Sequence, residues 1–116
     1  MEERRKHPRI KVHVPVLYKC FDDDDDMFEQ KLGTILDVSE GGLLIESDSL
    51  IDANYVEVFV VGFDQNLHSI VGSIVHSRKI EKGIVRTGIC FHGSRQETVK
   101  FLSMVIRTHQ YSKKAS

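Results

Sequence analysis

From Lys11 to Tyr18 the chain reads KVHVPVLY, and Val12, Val14 and Val16 recur at every second position, so a strand here turns one apolar face inward. Pro15 has no amide hydrogen to give to a ladder, which places this strand at a sheet edge or beside a bulge. Short-period segments return in QKLGTILDV, SEGGLLIES, YVEVFVVGF, HSIVGSIVHS and IVRTGICF. YVEVFVVGF is apolar on both faces, as suits a strand covered on both sides. Turn signals separate these segments. They are the solvated acidic loop FDDDDDMF, Gly41 and Gly42 where positive φ is cheap, and RKIEKG, whose Lys-Gly end suits a hairpin. Six short strands punctuated in this way predict an all-β fold with one helix: a closed or nearly closed six-stranded antiparallel β-barrel, rather than a βαβ sheet.

The period changes after His92. Ser94 and Glu97 form an S-x-x-E capping box, and Val99, Leu102, Val105 and Ile106 then recur at helical spacing. One amphipathic C-terminal α-helix closes the chain, its apolar stripe lying across the barrel as core packing. The predicted organisation is a flexible basic arm over residues 1–10, the barrel and helix over 11–110, and a disordered tail over 111–116.

Length and composition narrow the function. A chain of 116 residues makes one domain with a real core. It has no run of about 20 apolar residues to span a bilayer, and its charged N-terminus lacks the apolar region of a signal peptide. A cytoplasmic protein is therefore expected. Cys20 and Cys90 are too few and too far apart for a zinc site or a redox pair, and both are expected in or near the core. A formal net charge of -1 gives no general attraction for DNA or RNA, so any anion site must be local. The charge is in fact segregated, with Arg4, Arg5, Lys6 and Arg9 close together and Asp22 to Asp26 in one run.

Most candidate chemistry fails on spacing. Counted from Asp22 as an EF-hand loop, the sixth position is Met27 rather than Gly and the twelfth is Gly33 rather than Glu. The six histidines show no metal-ligand spacing. There is no nucleophile elbow, P-loop or dinucleotide fingerprint. The expectation is a binding protein with no catalytic residues, metal or cofactor. Two stretches remain, RRKHPRIKV and DVSEGG. Asp37 and Ser39 stand two apart, on one face if the segment is extended, and alone they read as ordinary turn chemistry. Beside the arginines they gain a second meaning. Arginine forks bond phosphate oxygens and the O6/N7 edge of guanine bidentately, and a carboxylate accepts from guanine's N1–H and N2–H₂.

The spacing R-x-x-x-R from Arg5 to Arg9, followed by D-x-S-x-x-G at Asp37, Ser39 and Gly42, resembles the PilZ domain family of bacterial cyclic di-GMP receptors. The similarity extends to Gly33 before TILDVS, to GGLLIES, to TGICF and to the terminal helix. Asn54 stands where family members often have glycine. The resemblance implies a six-stranded barrel with a C-terminal helix, and an arm that wraps over the barrel to hold the ligand. Arg5 and Arg9 would clamp phosphates and guanine. Asp37 would take the guanine edge, with Ser39 as a hydroxyl partner and Gly42 leaving room for close approach. Arg4 would add a further fork and favour a stacked pair, two cyclic di-GMP per chain. The implied output is contact with a downstream protein, unidentified by the sequence, through ordering of the arm. A non-nucleotide-binding PilZ-like interaction module is the alternative. A barrel binding single-stranded nucleic acid ranks behind both, because aromatics are only 8% of the chain and none interrupts the basic tract.

Overall fold

The computed structural model describes residues 8–115, and in it six strands and one helix follow one another along the chain. They are β1 (Ile10–Phe21), β2 (Met27–Val38), β3 (Gly42–Ser47), β4 (Tyr55–Val61), β5 (Leu67–Glu81), β6 (Ile84–Phe91) and α1 (Arg95–Ala115). The strands close into an antiparallel barrel in the order β1-β2-β3-β6-β5-β4. The alternation read from the sequence is what fills it. Val12, Val14, Val16, Tyr18 and Cys20 point inward from β1, and Ile35, Leu43, Ile45, Val56, Val58, Val60 and Ile89 meet them from the other strands. Each such aliphatic side chain stabilises the fold by about 1.5–3 kcal/mol through burial. Pro15 lies opposite Thr34 of β2 and outside the β1–β4 ladder, which begins at Leu17, so its missing donor breaks no pairing with β4. A register shift between Lys11 and Val14 adds a bulge just before it.

The turns differ from expectation in detail. Among the described glycines, positive φ occurs at Gly83 (φ 78), not at Gly41 or Gly42. Strand β5 runs on through Arg78 to Glu81, leaving Lys82 and Gly83 as a two-residue turn into β6. Gly42 serves a different need. A Cβ there would stand 2.0 Å from the carbonyl oxygen of Ile89, so the absence of a side chain lets β3 lie close to β6. Asn54 keeps a negative φ and donates its amide to the Phe21 carbonyl. In the acidic loop, Asp22 Oδ1 accepts the amides of Asp24 and Asp26, and Asp25 takes the left-handed conformation (φ 62).

Helix α1 begins as its capping box predicts. The Glu97 amide donates to Ser94 Oγ and the Ser94 amide donates to Glu97 Oε1, each at 3.1 Å. The buried face carries Thr98, Phe101, Met104 and Val105, with Leu102 and Ile106 packed partly against the core. Val99 is 41% exposed, so the expected stripe is out of phase by about one position. The helix also continues to Ala115, through the segment expected as a disordered tail. No glycine or proline interrupts that stretch, and Lys113 and Lys114 in the last turn complement the helix dipole. Cys90 is a further correction. It is exposed, because its neighbour Ile89 takes the inward position on β6. No helix among the described residues is long and apolar enough to cross a membrane.

Candidate functional site

Two rows of outward-facing residues run across β2, β3, β6 and β5. In the first, Asp37 is paired with Leu44, Leu44 with Gly88, and Gly88 with His76. In the second, two residues further along each strand, Glu46 is paired with Arg86 and Arg86 with Arg78. Bulges bring the ends of the first row into place. Leu36 is an extra residue in β2 against β3, and Val75 is an extra residue in β5 against β6. Each stands immediately before a residue of the row, where a bulge re-aims the side chain that follows.

These rows form a cleft of about 370 Å³ lined by Arg9, Asp37, Leu44, His76, Arg78, Ile80, Arg86 and Gly88. Its size falls in the range of small-molecule sites. Gly88 shapes the floor. A Cβ on it would approach the His76 ring to 2.8 Å, so the imidazole lies against bare backbone. On one wall Arg9 Nη1 donates to Asp37 Oδ1 at 2.5 Å, with the Asp37 side chain 19% exposed. On the other, Arg86 Nε donates to Glu46 Oε2 at 3.2 Å. Three guanidinium groups thus border one concavity, with Asp37 among them and Glu46 joined to Arg86. Such a site suits an anion that also offers hydrogen-bond donors.

Of the residues predicted for the site, Arg9 and Asp37 meet in this cleft. Arg4 and Arg5 lie outside the described residues. Ser39 and Asp37 do not share a face, because β2 ends at Val38 and the chain turns. Ser39 is buried, its amide donates to the Gly42 carbonyl at 2.8 Å, and its hydroxyl accepts the Gly41 amide at 3.2 Å. Gly42 is likewise buried, against Ile89. Both hold the turn that follows Asp37. An ion pair from Arg95 to Glu40, at 2.8 Å, links the start of α1 to the same turn. Sequence reasoning missed His76, Arg78, Arg86, Leu44 and Gly88. The period-2 spacing of His76, Arg78 and Ile80 was a visible signal for one wall, but the register that brings it opposite Asp37 was not. Among the described residues no cluster of side chains is suited to holding a metal ion.

Comparison with known proteins agrees with this architecture. The PilZ domain family model matches residues 3–107. No curated protein matches the sequence. Among solved structures, the PilZ domain of YcgR from Escherichia coli, determined with c-di-GMP, superposes with a TM-score of 0.66 at 14% identity, covering 97% of each chain. The inhibitor of motility MotI/DgrA of Bacillus subtilis gives a TM-score of 0.65 at 12% identity, covering 97% of this chain and 54% of its own. The MrkH–c-di-GMP complex of K. pneumonia gives 0.53 at 16% identity, covering 99% of this chain and 57% of its own.

Proposed function

The chain belongs to the PilZ domain family, and from that premise we propose that it is a non-catalytic cyclic di-GMP receptor whose ligand lies in the cleft between Arg9 and the β5–β6 wall. The carrying observation is the contact of Arg9 with Asp37, which joins the two motifs at the lip of that cleft. In this reading Asp37 accepts from guanine N1–H and N2–H₂, while Arg9 turns its remaining donors to phosphate or to the O6/N7 edge. Arg5 is assigned to the same task by its motif, and Arg4 to a second ligand molecule. Ser39 and Gly42 act by fixing the turn that holds Asp37.

The signal is ordering of the arm, which an unidentified downstream protein then recognises together with the ligand. Ordering costs about 1–2 kcal/mol of backbone entropy per residue, and the ligand's phosphates offset it by neutralising mutually repelling arginines. The arm is shorter than the expected residues 1–10, because Ile10 already belongs to β1, where it pairs with Val38.

Isothermal titration with cyclic di-GMP is the test. Binding is expected at two ligands per chain, falling toward one in Arg4→Ala, and weakening about tenfold or more in Arg5→Ala and Arg9→Ala, since charge-assisted hydrogen bonds contribute about 1.5–3 kcal/mol. Asp37→Ala is expected to narrow the preference for cyclic di-GMP over cyclic di-AMP. Hydrogen exchange should show protection gained from Arg4 to Arg9 on addition of ligand. A clean endpoint at one ligand overturns the stacked pair. Absence of heat at high micromolar ligand overturns the receptor and favours the interaction module.

A further inference from the structure

The cleft's second wall contains a charge arrangement that nothing in the two motifs accounts for. Arg78 on β5 and Arg86 on β6 are direct cross-strand partners, and both line the cleft. Like charges directly opposite one another destabilise a sheet. Glu46, the cross-strand partner of Arg86 on β3, relieves one of them through Nε at 3.2 Å, which leaves the terminal nitrogens of Arg86 unused in that bond. The Arg78 side chain has no hydrogen-bond or ion-pair partner among the described residues. It stands two residues along β5 from His76, in the row adjoining Asp37, Leu44 and Gly88, a step of about 7 Å along a strand. Arg9, Asp37 and Arg78 line the same cleft, so a dinucleotide that fills it meets all three. An exposed arginine in water needs no ligand, but a repelling pair aimed into one concavity gains from an anion between its members.

We propose that Arg78 is a phosphate-binding residue of this cleft, presented by the rigid barrel rather than by the arm, with Arg86 held beside it by Glu46. This rests on the receptor reading above. The ligand class is a phosphodiester, bound by the planar guanidinium fork.

Calorimetric titration of cyclic di-GMP into the wild type, Arg78→Ala, Arg78→Gln and Lys79→Ala tests it, with a thermal melt of each without ligand. Lys79 has the same charge one residue on, where the side chain turns to the other face of the strand. Both Arg78 variants are expected to bind about tenfold or more weakly, while Lys79→Ala stays within about twofold of the wild type. Their unliganded melting temperatures should equal or slightly exceed that of the wild type, because the repulsion with Arg86 is gone. A merely structural arginine would lower the melt instead. Wild-type affinity in both Arg78 variants, with Arg9→Ala still weakened, overturns the role of Arg78 and leaves the receptor intact. Failure of the wild type itself to bind overturns the receptor reading and this one with it.

Discussion

Two glycines on the paired strands β3 and β6 should respond differently to alanine. At Gly42 an added Cβ meets only the backbone of β6: the Ile89 carbonyl oxygen at 2.0 Å, its carbon at 3.0 Å and the Cys90 Cα at 3.3 Å. Comfortable carbon contacts lie at about 3.5–4.0 Å. No rotamer change relieves the clash, so β3 and β6 must separate where Gly42 pairs with Cys90. Overpacking of this kind costs about 1–3 kcal/mol, and the backbone target puts Gly42→Ala at the upper end. With about 4 °C lost per kcal/mol in a domain near this size, the melting temperature should fall by roughly 10–12 °C. At Gly88 the nearest atoms are Nε2, Cε1 and Cδ2 of His76, at 2.8, 3.2 and 3.3 Å. Gly88 is itself buried, but the His76 ring is exposed and can rotate away, so Gly88→Ala should cost about 1 kcal/mol, the lower end of overpacking. The displaced imidazole should nevertheless weaken cyclic di-GMP binding. Differential scanning calorimetry with titration of both variants decides the matter. Equal melts for the two would refute the reasoning. A Gly42→Ala protein that melts like the wild type yet loses binding would show that Gly42 meets the ligand directly.

The phase of α1 predicts that Met104→Ala costs about 2–4 kcal/mol in urea unfolding whereas Val99→Ala stays within about 0.5 kcal/mol; comparable losses would return Val99 to the buried face. The Glu97 carboxyl is held below its usual value of 4.5, chiefly because it accepts the Ser94 amide. A lowered folded value favours the ionised form, so its contribution is present above pH 4.5 and is lost as pH falls through the lower folded value. The difference in melting temperature between the wild type and Glu97→Gln should therefore close on acidification, and a constant difference would contradict the cap. Burial pushes the Cys20 thiol up to about 11, whereas Cys90 is exposed. Labelling at pH 8 with a thiolate-selective reagent should modify one cysteine per native chain and two after denaturation; two in the native protein would refute the assignment.

The strands were legible because each has one wet face and one dry face, so alternation such as that of Val12, Val14 and Val16 reports burial directly. Ser94 and Glu97 were legible because a capping box is local. The phase of α1 was not, because Val99 is apolar and continues a helical repeat, and only packing against the barrel selects Phe101 and Met104 over it. Glycines carry no label for their purpose. At Gly42 the need is close approach of a neighbouring strand, which follows from the β3–β6 register and not from the turn. The cleft was half visible. Arg9 and Asp37 were found through motif order, while His76, Arg78 and Arg86 required bulges at Leu36 and Val75 and a pairing of β5 with β6 that no single strand encodes.

Inward and outward positions alternate on the strands that build the cleft, and this divides what selection can change. On β5, Ser77 lies between His76 and Arg78; its hydroxyl is 2.8 Å from that of the buried Thr87, which itself lies between Arg86 and Gly88 on β6. The Ile51 amide also donates to Ser77 Oγ, at 2.9 Å. Every second codon in these segments is thus constrained by folding, and the codons between them mainly by whatever occupies the outer face. A lineage can redraw its ligand preference, or lose it, through substitutions at His76, Arg78 and Arg86 while the barrel stays intact. Gly42 is the exception, tied to the spacing of β3 and β6 rather than to any occupant, and drift should be slowest there.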